Sequence, residues 1–282
     1  MKINDKSVLV RLSISMPGNT RKDPDITKEV TVAHHLGDKS GRWLKQLYPK
    51  EALEPLTKVS TEARHWHYEH SLPWTDEGSR ILPTAHHAEY TTQMREFRQK
   101  FETLSENHFL AKLPEWEAWA RQQHNGTFNP EDYLPASKLR EKFGFAIEVT
   151  PVPCGEDFRV DFTADELAEL RTQVDTRVTN AAEAARKDLW GRLIKPVAAM
   201  VERLKQPDAT FRDSLIGNLR DIVALIPALN LTSDADLEQF RSTIQRDLAH
   251  WDPDLLREDK ATRAEIAQKA ETLLAKMKGY AI

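Results

Sequence analysis

Apolar residues recur every three to five positions over a long stretch that begins after Thr163 and ends at Leu204. Thr163 and Glu166 have the spacing of a capping box, in which each side chain binds the other residue's backbone N–H group. The pattern predicts one helix of roughly 65 Å, kinked or interrupted near Pro196 because proline clashes with the preceding turn. Its apolar positions are Leu167, Leu170, Val174, Val178, Ala181, Ala185, Leu189, Ile194, Val197, Val201 and Leu204.

Shorter amphipathic stretches, separated by proline and glycine, predict further helices. One carries a heptad-like seam of Tyr90, Met94, Phe97, Phe101 and Leu104, and it would lie antiparallel to the helix that begins near Lys50. The segment His65–Pro83 would then form the tip of a helical hairpin. The predicted helices cover residues 27–35, 40–48, 50–70, 84 onward, 114–126, 130–143, 210–226, 232–250 and 260–278.

Three stretches alternate apolar and polar residues, which is the period of a strand with one buried face. They are Ser7–Ser15, Phe145–Val152 and Phe158–Phe162. The sequence thus predicts a mainly α protein, an elongated helical bundle or coiled-coil spine with a small antiparallel three-stranded β-sheet. We divide the chain into 1–162, a helical hairpin region with the sheet, and 163–282, the long spine helix and C-terminal helices. These regions could also form one continuous domain.

Composition restricts the class of protein. Cys154 is the only cysteine, which excludes an internal disulfide or a zinc site made of cysteines and favours a reducing compartment. The N-terminus lacks the apolar core of a signal peptide, and no run approaches the ~18 apolar residues of a membrane span. We therefore expect a soluble protein of the host cell cytoplasm that does not bind membranes.

Charge is unevenly distributed. The net charge is −4, but the first hundred residues carry 16 Lys and Arg against 13 Asp and Glu. A basic N-terminal third could attract a polyanion. An excess of this size is also ordinary in proteins that bind none.

No strong catalytic motif is present: there is no P-loop, G-x-G-x-x-G or G-x-S-x-G pattern. His65, His67 and His70 could coordinate zinc or iron, or they could be exposed and hydrogen-bonding residues at a helix end. The acidic pairs, such as Asp165-Glu166, are typical of helix N-termini. We expect no enzyme activity and no cofactor, with a metal-dependent enzyme that uses the three histidines as an alternative.

Aromatic and basic residues are interleaved in the first third of the chain. Bases stack on aromatic and guanidinium faces, and phosphates bind lysine and arginine. Packing between helices is the commoner use of tryptophan and is the competing interpretation. The candidate nucleic-acid-binding residues are Arg11, Arg21, Lys22, Arg42, Lys45, Trp66, Tyr68, Trp74 and Arg80.

Several segments resemble a phage-borne family of mostly helical proteins of unknown function. They include VRLSIS, HYEHSLPWTDEGSRILP, FNPEDYLPASKLREKFGF and DFRVDF, and the resemblance covers roughly residues 7–249. It implies a phage origin and a role in phage DNA metabolism or beside an ATPase of the MoxR type. It implies no activity and no catalytic residues.

Together these observations predict a non-enzymatic phage protein that forms homo-oligomers and binds nucleic acid, with single-stranded DNA favoured. The alternative from another class is a helical adaptor or scaffold that binds a protein partner through its apolar seams.

Overall fold

The computed structural model describes residues 3–37, 39–74, 78–157, 163–206 and 210–280, and over these ranges the protein is mainly helical with a small antiparallel sheet. The helices are α1 Pro24–Ala33, α2 Lys50–Glu69, α3 His87–Leu104, α4 Leu113–His124, α5 Ala136–Arg140, α6 Ala164–Leu204, α7 Ser214–Leu229, α8 Ala235–Ile244, α9 Pro253–Glu258 and α10 Lys260–Met277. The strands are β1 Ser7–Ser15, β2 Thr20–Lys22, β3 Leu44–Gln46, β4 Leu72–Pro73, β5 Arg80–Pro83 and β6 Gly144–Pro151.

The described strands form a four-stranded sheet and a separate ribbon. The sheet has the order β4-β5-β1-β6, and β1 pairs antiparallel with β5 so that Val8 lies opposite Leu82. The prediction of three strands was therefore wrong in number, although β1 and β6 were found. The missed strands β4 and β5 are only two and four residues long, too short to show a period of two. The predicted strand Phe158–Phe162 lies outside the described residues.

The second sheet is the ribbon of β2 and β3, in which Arg21 lies opposite Lys45. A helix over 40–48 was predicted here, and that prediction was wrong. A three-residue strand takes its conformation from its hydrogen-bonded partner, and this partner is more than twenty positions away in sequence. The predicted helix over 130–143 is replaced by a 3₁₀ turn at Pro130–Asp132 and the short α5.

The chain divides into two compact units, each discontinuous in sequence. The spine unit contains residues 1–11, 68–90 and 148–282, and the ribbon unit contains residues 12–67 and 91–147. Whether a boundary at residue 163 separates independently folding domains stays a prediction.

The spine unit is built around α6, which packs against α7 and α10. The predicted capping box is confirmed: Glu166 N–H donates to Thr163 Oγ1, and Thr163 N–H donates to Glu166 Oε2 at 2.9 Å. The helix runs through Pro196 without a break. Because α6 packs against two helices in a bundle, the described residues show no elongated coiled coil.

The buried core of the spine unit joins helices to the sheet. Trp190, Leu193 and Met200 of α6 are fully buried, and Leu72 of β4 and Ile81 of β5 belong to the same cluster. The sheet residues therefore cover one part of the apolar surface of the C-terminal helices. None of the described helices is long and apolar enough to cross a membrane.

The ribbon unit has an aromatic core. Tyr48 meets the Phe109 ring edge-on at a centroid distance of 5.1 Å, and Phe109 meets Phe143 in the same way at 5.3 Å. Such edge-to-face pairs add to the stabilisation that burial provides. Of the predicted heptad-like seam, Met94 and Phe101 are buried in this unit, which confirms the inward face of α3.

Candidate nucleic-acid interface

The ribbon presents an aromatic side chain next to basic residues. Trp43 is 50% exposed and precedes Leu44, which is 47% exposed and pairs with Lys22. The Trp43 carbonyl accepts a hydrogen bond from Asp23 N–H at 3.1 Å, and its N–H donates to Thr27 Oγ1 at 2.9 Å. Both backbone groups of Trp43 are thus held at the start of α1. We call Lys22, Arg42, Trp43 and Leu44 the Trp43 surface.

Two cations of this surface lie in solvent. Lys22 and Arg42 are exposed, and among the described residues neither takes part in an ion pair. An exposed cation that is not neutralised by a carboxylate attracts phosphate most effectively, so these two side chains remain candidates for phosphate binding.

Lys45, also predicted to bind nucleic acid, points into the protein. Its ammonium group is 2.7 Å from Asp132 Oδ2, 3.2 Å from Asp23 Oδ2 and 2.9 Å from the Thr127 carbonyl. Burial by itself lowers the pKa of Lys45, but the hydrogen bonds and charges of the two carboxylates outweigh burial and raise the pKa. Lys45 is 5% exposed, so it stabilises the ribbon unit from within and is not presented to a phosphate.

Arg21 occupies an intermediate position. Its side chain is half exposed, and its Nε lies 3.1 Å from Asp132 Oδ1 while Nη1 donates to the Glu131 carbonyl at 3.2 Å. Binding a phosphate would require Arg21 to exchange these partners, so it is a weaker candidate than Lys22.

In the spine unit, Arg80 mainly orders the chain around it. It donates to Ser71 Oγ at 2.7 Å and to the Ser71 carbonyl at 2.9 Å, and its guanidinium carbon lies 4.7 Å from the Tyr68 ring centroid. Arg192 donates to the carbonyls of Tyr68, Glu69 and Ser71. Burial first, and then the charge of Arg192, lowers the pKa of Arg80.

These two guanidinium groups satisfy carbonyls at the end of a helix, where cations are favourable. Tyr68 itself is 51% exposed, so one face of its ring could still stack on a base. Arg11, on β1, is exposed.

The tryptophans of the predicted segment are both partly buried. In the ribbon unit, the Trp66 ring lies 6.5 Å from the Phe97 ring, centroid to centroid. In the spine unit, Trp74 packs against the core, and the Arg177 guanidinium lies 5.6 Å from its ring centroid. Neither ring is fully buried, so both rings pack against neighbouring side chains while part of each ring stays accessible to solvent. Their role in stacking on a base stays a prediction.

The histidines do not form a metal site among the residues that the structure describes, where no three His, Cys, Asp or Glu side chains are grouped as ligands. His70 stacks on His86 with ring centroids 5.1 Å apart, and His70 Nδ1 lies 3.3 Å from His86 Nε2. Burial, the neighbouring His86 and Arg192 lower the pKa of His70 to about 3. The neutral pair therefore works as a hydrogen-bonded packing contact.

Trp43 was missed as a site residue by the sequence reasoning. The signal was present, because Trp43 directly follows Arg42 and lies two positions before Lys45 in the stretch GRWLK. Interpreting residues 40–48 as a helix removed the reason to expect Trp43 in solvent.

Comparisons with known proteins give no relative for this chain: no protein-family model, no curated protein and no solved structure matches it.

Proposed function

We propose that this protein binds single-stranded DNA through the Trp43 surface, without enzymatic activity. The observation that supports the proposal is a tryptophan half in solvent on a fixed backbone, next to exposed Lys22 and Arg42. A base stacked on an aromatic ring contributes about 1–3 kcal/mol of binding free energy and requires no particular sequence. The lysine and arginine add phosphate contacts that weaken as salt concentration rises.

The proposal extends to assembly and origin. The first half of α6 carries a stripe of partly exposed Leu167, Leu170 and Val174, which would let copies of this chain associate along an elongated coiled coil. The resemblance to a phage-borne family supports a role in phage DNA metabolism in the host cytoplasm. In one form of that role, the protein would work beside an ATPase of the MoxR type. Sedimentation equilibrium would measure the oligomeric mass, and a monomer at all concentrations would contradict the assembly.

The decisive experiment is fluorescence anisotropy of a labelled single-stranded oligonucleotide at two salt concentrations, with a duplex of the same sequence in parallel. We expect salt-sensitive binding that prefers the single strand. Trp43→Ala should weaken it at least about fivefold, and Trp43→Phe should retain most of it, because phenylalanine keeps a stacking face. The double variant Lys22→Glu/Arg42→Glu should weaken binding and reduce its salt dependence.

The matched control is Lys58→Glu/Lys142→Glu, which changes net charge by the same amount at exposed positions of the same unit. Equal losses in the two double variants would show a general charge effect and contradict the assigned surface.

An adaptor that binds a protein is the second candidate, because apolar exposure is concentrated near the ribbon. Val30, Val32 and Leu36, around the end of α1, are 36%, 66% and 46% exposed. Exposed apolar clusters of this kind commonly mark protein interaction sites. Absence of DNA binding at low salt, together with a partner retained by the wild type and lost in Val32→Asp, would favour the adaptor.

A further inference from the structure

A surface cavity of about 560 Å³, broadly open to solvent, lies between Trp74 and one face of α6 in the spine unit. Its helical wall consists of residues three and four positions apart, which share a helix face. The lining residues on α6 are Thr172, Gln173, Thr176, Arg177, Asn180, Ala181 and Ala184. The volume falls within the range of about 300–1,000 Å³ that small-molecule sites occupy.

The cavity has a rigid aromatic side. Trp74 packs against the buried core of the spine unit, so the position of its ring is set by that packing. The Arg177 guanidinium carbon is 5.6 Å from the ring centroid, a distance at which a cation is attracted to the ring face. Ala181 and Ala184 leave room because their side chains are a single methyl group.

The side of the cavity formed by α6 offers several polar side chains. Among the described residues, the side-chain amides of Gln173 and Asn180 take part in no hydrogen bond with another residue of the chain. The hydroxyls of Thr172 and Thr176 donate to carbonyls one helical turn earlier, at 2.8 and 2.7 Å. These hydroxyls can therefore only accept from a ligand, whereas the two amides can both donate and accept.

A nucleobase has the matching chemistry, with apolar π-faces and polar edges. One face would stack on the Trp74 ring, and the amides of Gln173 and Asn180 would hydrogen-bond the base edge. The Arg177 guanidinium, which lies over this ring in the free protein, would move aside and bind the attached phosphate. A purely apolar ligand fits less well because it would cover the two amides without supplying hydrogen bonds.

We propose that this cavity binds one nucleobase of a single-stranded nucleic acid, as a stacking point in addition to the Trp43 surface. The inference deepens the proposed function and rests on it for the identity of the ligand. It also predicts that nucleoside monophosphates bind here on their own, although weakly, because one stacked base and one phosphate contribute only part of the affinity of a longer strand.

The test uses the full chain carrying Trp43→Ala, so that stacking at the Trp43 surface does not contribute. Binding of AMP and of CMP is followed by isothermal titration calorimetry. Adding Asn180→Leu and Gln173→Ala should weaken binding at least about fivefold, and Arg177→Gln should weaken monophosphates more than nucleosides. Both α6 positions are exposed, so the substitutions leave the core intact.

Thr179→Leu is the matched control, since Thr179 is exposed on α6 but does not line the cavity, and it should bind as the parent does. Nucleotide binding that is absent, or that the α6 substitutions leave unchanged, would overturn the inference. If oligonucleotides still bind through Trp43 in that case, the proposed function stands alone. If nucleotides bind in the cavity but no oligonucleotide binds, the proposed function fails while the cavity is a nucleotide site.

Discussion

At the scale of single residues, two neighbouring lysines show how environment decides a role. Lys22 lies on β2 and Lys45 on β3 of the same ribbon. The sequence predicted that both bind phosphate. The structure leaves Lys22 in solvent and encloses Lys45 between Asp23 and Asp132. A buried ammonium needs such partners because losing water costs several kcal/mol. Those partners come from positions distant in sequence, so composition around Lys45 could not reveal them.

The stacked histidine pair makes stability depend on pH in a defined direction. The pKa of His70 is about 3 in the folded protein and about 6.5 in an unfolded chain. The unfolded state therefore binds more protons, so the contribution of His70 is complete above about pH 6.5 and is lost progressively as the pH falls toward about 3.

Urea unfolding at pH 7 and pH 5 measures this dependence. The free energy of unfolding should fall more between these pH values for the wild type than for His70→Gln, which cannot titrate. Burial lowers the pKa of His86 while Glu89 opposes that change, so a smaller dependence should remain in the variant. An identical pH dependence for the two proteins would contradict the assignment.

At the scale of elements, capping and periodicity predicted long helices well. The start of α6 at the Thr163 capping box and the run of α10 over Lys260–Met277 follow from local sequence alone. The short strands β3, β4 and β5 were not predicted, because pairing partners rather than side-chain patterns create them. Of the two outcomes predicted at Pro196, an interruption did not occur, and a kink stays a prediction. Packing of α6 against α7 and α10 along its C-terminal half outweighs the local cost of the proline.

Replacing Pro196 should remove the destabilisation that this proline causes in α6. Pro196 lacks an N–H group, so the helix loses one hydrogen bond to the Arg192 carbonyl, and an interior proline costs about 3 kcal/mol. Pro196→Ala should raise the free energy of unfolding by about 1 kcal/mol or more, because part of the gain is offset by greater freedom of the unfolded chain. Thermal unfolding followed by circular dichroism would show the change. A lower midpoint would mean that the proline ring itself fills space in the core.

At the scale of the whole molecule, the sequence predicts a domain boundary at residue 163. The composition of the core of the spine unit allows a test of this boundary. Leu9, Leu72 and Ile81 are buried in the same cluster as α6, α7 and α10. A fragment of residues 163–282 would expose the apolar surface that these residues cover. We expect the fragment to be helical by circular dichroism but to melt broadly, whereas the full chain melts cooperatively. A sharp melt of the fragment would show that this region folds independently.

The sequence by itself determined the helical class, the limits of the longest helices, strand β1, the inward face of α3 and that of the C-terminal half of α6. These features depend on residues within a few positions of one another, through capping, periodicity and side-chain volume. Only the tertiary structure decided that Lys45 is enclosed, that Trp43 reaches solvent, and that Trp74 and Asn180 line the same cavity. Each of those outcomes depends on which distant segments pair and pack. A local sequence pattern does not specify which distant segment it will contact.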